Sequence, residues 1–440
     1  MKRILAALSV SALVLGPGAR PALAQRANGP YASAFGPLPD VDRTQGLDLA
    51  ASFFGVADHN VVPVSDDSVK VDQRLNESGA SGGLTGSLNY GRYGDRVRFT
   101  LGGEGTVRQY QSVRDDVAGA YHASTSLNAK LASKLTLEAI GNAGYSPFSD
   151  FAPFIDFGSM ANAALFTPAF GFTSAAPERT VIADTSIGLT SNVTKRTSLS
   201  ASAVGRDWRV LDAPQNDVRS WGGRAGISHR VSRGLGLHLS YGRDQNEYAV
   251  DQQGPYVNET IDAGLDYGDT LTFDRRTSLT FATSTGAVRY YGDTHYRVNG
   301  MARLSRGIGR TWSTWLGYRR DTEYRSGFRE PLLTDSFNTG IGGQMSWRVR
   351  WQALGAYSRG TVGFGSEGFT NYLGTSRLSV ALTKTLAFYG QYAYFHYDIP
   401  PGSSTLYLLP RFSRQAIAVG LSVALPIVND IRPPKPAPQP

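Results

Sequence analysis

Few residues in this chain are spaced for chemistry. His238 and Ser240 stand two apart. On a strand that spacing puts both on one face, the least that a base and a nucleophile require. No third group accompanies them, and such a pair arises easily by chance. The six histidines (His59, His122, His229, His238, His295 and His396) include no HxH or HxxxH spacing. Cysteine is absent, which removes thiolate metal sites and disulfides alike. Asp58, Asp66, Asp67 and Asp72 cluster loosely, but not with the ligand spacing of an EF-hand loop. The reading is therefore no enzyme, no metal and no cofactor.

Arginine recurs at alternate positions within stretches of mixed polarity. Arg96, Arg98, Arg108, Arg206, Arg224, Arg230, Arg297, Arg303, Arg319 and Arg350 fall on the polar side of such stretches. Glu104, Glu138, Asp262 and Asp266 oppose them. Lining an aqueous passage, these arginines would lower the barrier to anions. Paired with carboxylates, they would stiffen a wall and lose most of their field. Both readings stand at this point.

The elements that must position these residues are strands. In 96–108, Val97, Phe99, Leu101, Gly103, Gly105 and Val107 alternate with Arg96, Arg98, Thr100, Gly102, Glu104, Thr106 and Arg108. Near the end, Ile417, Val419, Leu421, Val423 and Leu425 alternate with small residues. This period of two predicts strands at 46–57, 80–91, 95–110, 117–131, 134–146, 180–193, 196–208, 218–231, 234–247, 256–267, 276–290, 294–306, 309–322, 334–347, 349–360, 370–383, 385–397 and 413–427. Short connections alternate with long ones, except that 291–293 is short where a long one is due. Strands of about ten residues, apolar on one face and polar or small on the other, with short and long connections in turn, characterise transmembrane barrels. A soluble propeller or sandwich would need bulky apolar residues on its inner face, where this chain carries Arg, Asp, Asn and Ser. The fold expected is all-β: an antiparallel up-and-down transmembrane β-barrel of about 18 strands, with 16 as the next choice. Tyr110, Tyr121, Tyr145, Trp208, Trp221, Tyr241, Tyr267, Tyr290, Tyr291, Trp312, Tyr318, Trp347, Trp351, Tyr357, Tyr392 and Tyr394 gather near strand ends and read as two girdles at the headgroups.

Residues 1–24 read as a secretory signal. Lys2 and Arg3 precede an apolar run from Ile4 to Leu15, and Ala22-Leu23-Ala24 supplies a small-residue cleavage site. The run is too short for a membrane-spanning helix. Residues 25–45 form a periplasmic lead-in, 46–427 the barrel and 428–440 a Pro-rich periplasmic tail. The formal charge of +8 becomes 8 − 3 = +5 once Lys2, Arg3 and Arg20 are removed. That mild balance, spread along the chain, does not suggest nucleic acid as a partner. The partners expected are outer-membrane lipids and a small polar solute. The longest connection, 147–179, is rich in phenylalanine. Phe151, Phe154 and Phe157 with Asp150 and Asp156 predict a constriction loop folded into the lumen, and a cap over the mouth is the alternative.

The segment from Lys384 to Asp398 (KTLAFYGQYAYFHYD) and that from Arg414 to Pro426 (RQAIAVGLSVALP) carry a family resemblance. They resemble the C-terminal hairpin of outer-membrane β-barrel porins, especially those encoded with exopolysaccharide synthesis and export systems. The resemblance is specific over about forty residues. It implies a bacterial outer-membrane location and passage of solutes or an exported polysaccharide, with an anionic polysaccharide and a periplasmic export partner as the partners that go with it, and it carries over no catalytic residue. The alternatives to a channel are a barrel enzyme acting on lipid or surface polymer and a plugged structural or adhesive barrel. One departure is that many such barrels end on an aromatic residue, whereas this chain runs from Pro426-Ile427 into a Pro-rich tail.

Overall fold

The computed structural model of the chain describes residues 31–35, 43–61, 79–111, 117–147, 149–150, 174–176, 179–249, 256–271, 274–290, 293–323, 332–363, 368–399 and 411–431. Eighteen strands form one sheet. They are β1 (Arg43–Val61), β2 (Gly79–Tyr93), β3 (Val97–Tyr110), β4 (Val117–Lys130), β5 (Leu135–Ser146), β6 (Thr180–Asn192), β7 (Thr197–Val210), β8 (Val218–Arg230) and β9 (Leu235–Tyr248). They continue as β10 (Tyr256–Leu271), β11 (Asp274–Tyr290), β12 (Asp293–Ile308), β13 (Trp312–Glu323), β14 (Leu332–Ser346), β15 (Val349–Val362), β16 (Gly368–Ala381), β17 (Leu386–Asp398) and β18 (Arg411–Ile431). Every strand runs antiparallel to its sequence neighbours. β1 pairs with β2 on one side and with β18 on the other, Phe53 opposite Leu84 and Leu421. The sheet thus closes into a barrel with no free edge. All eighteen expected strands are present.

The outer face is apolar around the whole circumference. Phe53, Ile187, Leu239, Ile261, Val298 and Ile417 are each more than half exposed, from 52% to 65%. A belt of this extent is untenable in water. In lipid it is what a closed barrel must present, and closure gives every strand a partner on both sides. Rings crown the belt at both ends. Tyr318, Phe337, Tyr357, Tyr372 and His396 lie side by side on β13 to β17 toward the end of the long connections, with centroids 4.9 to 6.5 Å apart. Toward the short turns, Trp312 and Trp351 lie 5.8 Å apart and Tyr267 and Phe281 5.5 Å apart. Rings at both ends of an apolar belt on a closed barrel are the pattern of an outer-membrane protein. Two residues assigned to the girdles turn the other way: Tyr110 and Trp208 sit on the inward register of β3 and β7 and are buried.

The strand ends differ from expectation in places. β1 begins at Arg43, inside the stretch read as lead-in, and β18 runs on to Ile431, into the stretch read as tail. These extra residues pair with each other, Gln45 opposite Asp430. Arg43 fastens them: its guanidinium donates to both oxygens of Asp48 at 2.6 and 3.1 Å and to the Val428 carbonyl at 2.8 Å. The connection read as 268–275 shrinks to 272–273 because β10 and β11 both run longer. A 3-10 turn at Ala32–Phe35 lies beside β16 and β17. Ala34 and Phe35 bury against Ala381 and Ala387, and Arg348 donates to the Tyr31 hydroxyl at 2.8 Å.

The seam is stapled from within. Asp58 on β1 accepts hydrogen bonds from Arg414 on β18 and from Arg108 on β3, the latter at 3.1 Å. Arg108 Nε also donates to Ser81 on β2 at 2.7 Å. Four consecutive strands across the closure are therefore tied by one carboxylate. Both arginines are 1% exposed, and losing the acid of a buried pair is costly. Asp58→Ala is expected to lower unfolding stability by on the order of 3 kcal/mol, read as an earlier loss of the compact heat-modifiable band on cold gels. An unshifted transition would show that the staple is incidental.

Candidate functional site: the inner wall

Alternation assigns each strand residue to the lipid or to the lumen. Arg98, Glu104 and Arg108 share the inward register of β3, opposite in sense to the exposed Leu101 and Val107. On the same reasoning Glu138, Arg206, Arg224, Arg230, Asp262, Asp266, Arg297, Arg303, Arg319 and Arg350 face inward. Arg96 does not lie in the wall, because the turn 94–96 between β2 and β3 contains it. Phe151, Phe154, Asp156 and Phe157 lie outside the described residues. Asp150 belongs to a short ribbon in which Ser149 and Asp150 pair with 174–176. Asp66, Asp67 and Asp72 also lie outside the described residues, while Asp58 is the staple above.

The structure separates the inward arginines into groups. Arg206 Nε donates to Asp184 on the next strand. Arg224 lies 3.4 Å from Asp262, and Arg319 lies 3.4 Å from Asp321. Together with Arg108 these are wall-stiffening pairs. Arg303 stacks over Trp315, its Cζ 4.5 Å from the ring centroid. Arg98, Arg230 and Arg297 form no ion pair among the described residues, nor do Glu104 and Glu138. The sequence reading overlooked Arg377 and Arg414. Arg377 Cζ lies 3.7 Å from the ring centroid of Tyr389, whose hydroxyl is 3.0 Å from Ser52 Oγ. The signal for Arg377 was its place in Thr375, Arg377, Ser379 against Leu378 and Val380. Arg414 was hidden at the start of its strand.

His238 is held by two carboxylates on β10. Its Nδ1 lies 2.8 Å from Asp266 and its Nε2 3.2 Å from Asp262. Both ring nitrogens are thereby committed, neither of them to Ser240. Arg224 completes a charged cluster spanning β8 to β10. Hydroxyl pairs tie other neighbouring strands from inside, as in Thr85 with Thr106 at 2.9 Å and Ser198 with Ser228 at 2.7 Å.

The inner face is not polar everywhere. Toward the long connections, Leu332, Phe369, Leu373, Phe395 and Tyr397 on β14, β16 and β17 point inward and are buried, at 0% to 3% exposure. The expectation of a uniformly hydrophilic lining fails on this side. On β7 and β8 a second apolar group, Trp208, Val210, Ala213 and Val218, closes under the connection 211–217.

Outside the strands, Arg179 grips Asp212. Its Nε donates at 3.0 Å, its Nη2 at 2.5 Å, and its backbone N–H at 3.0 Å. The side-chain hydrogen bonds from Arg179 hold the Asp212 carboxyl below its ordinary range. A carboxyl lowered in the folded state contributes stability above its unfolded pKa and loses it as pH falls through the folded value. Asp212→Ala should therefore quicken hydrogen exchange at 211–217 at pH 7. Near pH 2 the variant and the parent should match. A difference that survives acidification would contradict the assignment.

Neither a family model nor a curated protein sequence matches this chain. Among solved structures, Pseudomonas aeruginosa OccK2 (OpdF) is similar at 12% identity with a TM-score of 0.44, covering 87% of this chain and 98% of that one. Pseudomonas aeruginosa OpdO gives 12% and 0.43, covering 88% and 99%. Acinetobacter baumannii OccAB4 gives 11% and 0.39, covering 88% and 100%.

Proposed function

We propose that the chain is a passive outer-membrane channel for polar solutes, with a preference for anions. The observation that carries this reading is the inner wall of a closed eighteen-strand barrel, which bears charged side chains with no ionic partner among the described residues. A barrel of this strand number is wide enough for an aqueous lumen. Charges such as Arg98, Arg230 and Arg297 need water beside them, since burying them unpaired is prohibitive. Inward arginines outnumber inward carboxylates once Arg377 and Arg414 are counted, and the surplus favours anions. Among the described residues, Arg108, Arg206, Arg224 and Arg319 are each neutralised by an aspartate, so the preference is moderate.

An exported anionic exopolysaccharide is the finer form of the same reading. Trp315 under Arg303 and Tyr389 under Arg377 give the wall flat surfaces beside positive charge, which suit a sugar ring bearing a carboxylate. Export would also need a periplasmic partner to deliver the polymer. A barrel enzyme on lipid or surface polymer finds no support at His238, whose nitrogens both face carboxylates.

Planar-bilayer recordings on the refolded mature chain test the proposal. Under a salt gradient the reversal potential should favour chloride over potassium. Replacing Arg98, Arg230 and Arg297 together by Glu should reduce that ratio severalfold. A folded but silent barrel would reject the channel, and cation preference in the parent would reject the selectivity. Deleting 150–175 should raise conductance if Asp150, Phe151, Phe154, Asp156 and Phe157 constrict the lumen; unchanged conductance would remove that role.

A further inference from the structure

We propose that the periplasmic rim of the barrel is a binding surface for anionic phospholipids of the leaflet that surrounds it. The basis is a regularity of the short turns. Seven of them are described, at 94–96, 131–134, 193–196, 231–234, 309–311, 347–348 and 382–385, and each carries at least one Lys or Arg. Asp95 is the one carboxylate in them. Five of the bases, Lys134, Lys195, Arg196, Arg233 and Arg310, are exposed and form no ion pair among the described residues.

A second regularity is independent of charge. The outward apolar register of the strands continues into these turns. Leu131, Val193, Val231, Ile308, Trp347 and Leu382 are all exposed, from 44% to 66%. A base follows each of them within three residues. At turn after turn the last lipid-facing side chain is therefore succeeded by a cation just below it. That is the level of the headgroup phosphates, where apolar side chains end and basic ones meet anions.

The opposite end of the barrel does not share this pattern. There Arg179 pairs with Asp212 at 2.5 Å, Arg209 with Asp207 at 2.7 Å, Arg320 with Asp335 at 3.7 Å and Arg411 with Asp398 at 3.7 Å. Among the described residues the chain supplies carboxylates for several exposed bases at that end, Arg359 excepted, and leaves the five bases of the short turns for an external anion. The bases occur in turns all round the circumference, below the lipid belt. A leaflet encircling the barrel meets all of them at once, whereas an acidic protein docked on one side would meet a few. Short turns and both termini fix this as the periplasmic end, so the source is phospholipid and not the lipid A of the outer leaflet.

The test is native mass spectrometry of the full mature chain folded in detergent, with phosphatidylglycerol, phosphatidylcholine and lipid A as probes. Phosphatidylglycerol should remain bound at roughly tenfold lower lipid concentration than phosphatidylcholine, as several bases act together. Replacing Lys134, Lys195, Arg196, Arg233 and Arg310 by Gln should abolish that difference. The same change at Arg209, Arg219 and Arg243, at the opposite end, should leave it intact. If the rim variant fails to give the heat-modifiable folded band, the parent decides. Raising ionic strength from about 0.1 to about 1 M cuts the reach of these charges from ~10 to ~3 Å and should erase the preference. Equal binding of the two phospholipids, a preference that survives high salt, tighter binding of lipid A, or displacement of phosphatidylglycerol by a polyglutamate peptide would each overturn the proposal.

Discussion

A peptide group in hydrocarbon has no water to bond to, and the rest of this molecule follows from that constraint. Each strand must find a partner on both sides, so the sheet can end only by meeting its own beginning. The meeting of β1 and β18 is the one junction that local hairpins do not supply, because its partners lie at opposite ends of the chain. These are also the two longest strands, 19 and 21 residues. Asp58 ties the extracellular half of this junction through Arg108 and Arg414, and Arg43 ties the periplasmic end through Asp48 and Val428. The barrel thus places polar reinforcement at both ends of a junction where closure depends on contacts between residues hundreds of positions apart.

Closure also decides what an arginine can do. An inward arginine is either pinned by a neighbouring carboxylate, as Arg206 is by Asp184, or laid on a ring, as Arg303 is on Trp315. Without such a partner it must sit where water reaches it. Pinning costs most of the charge's field but holds the side chain in place, which gives the lumen its shape. Under the proposed function, arginines such as Arg98, Arg230 and Arg297 would set its sign. The buried apolar patch on β14, β16 and β17 adds a third character to the same wall. The lumen is therefore lined unevenly, with apolar and charged side chains adjoining, as where Phe395 stands opposite Arg414.

The strand pattern was legible in the sequence because lipid and water on opposite sides of one strand impose a strict period of two. Val97 to Val107 and Ile417 to Leu425 show it without help from tertiary structure. Strand ends were less legible. The pairing of residues 43–45 with 430–431 depends on a partner at the far end of the chain, and no local signal announces it. Inward and outward faces were hardest to read on β16 and β17, where Phe369, Leu373, Phe395 and Tyr397 put apolar side chains on the lumen side as well. Tyr110 and Trp208 misled for a related reason: an aromatic near a strand end suits a headgroup girdle or an inner apolar cluster equally, and only register separates the two. The pairing of Arg224 and His238 with Asp262 was likewise invisible, because cross-strand register, not sequence distance, brings them together.

The two ends of the barrel face different problems, and connection length is what separates them. A long connection can fold back and bring a carboxylate to a base, as the segment after β7 brings Asp212 to Arg179. A turn of two to four residues has no room to do so. Its side chains stand at a fixed height just beyond the last lipid-facing residue. Gly309 shows how tightly these turns are drawn, since its φ of 62° lies in the left-handed region where glycine alone is unstrained. Apart from 94–96, which carries Asp95, these turns hold no carboxylate to neutralise their bases, and the height of the bases is set by the register of the strands. The same short hairpins that close the backbone against lipid therefore hold a ring of cations at the lipid boundary. The charge of that ring is balanced by whatever the surrounding leaflet supplies.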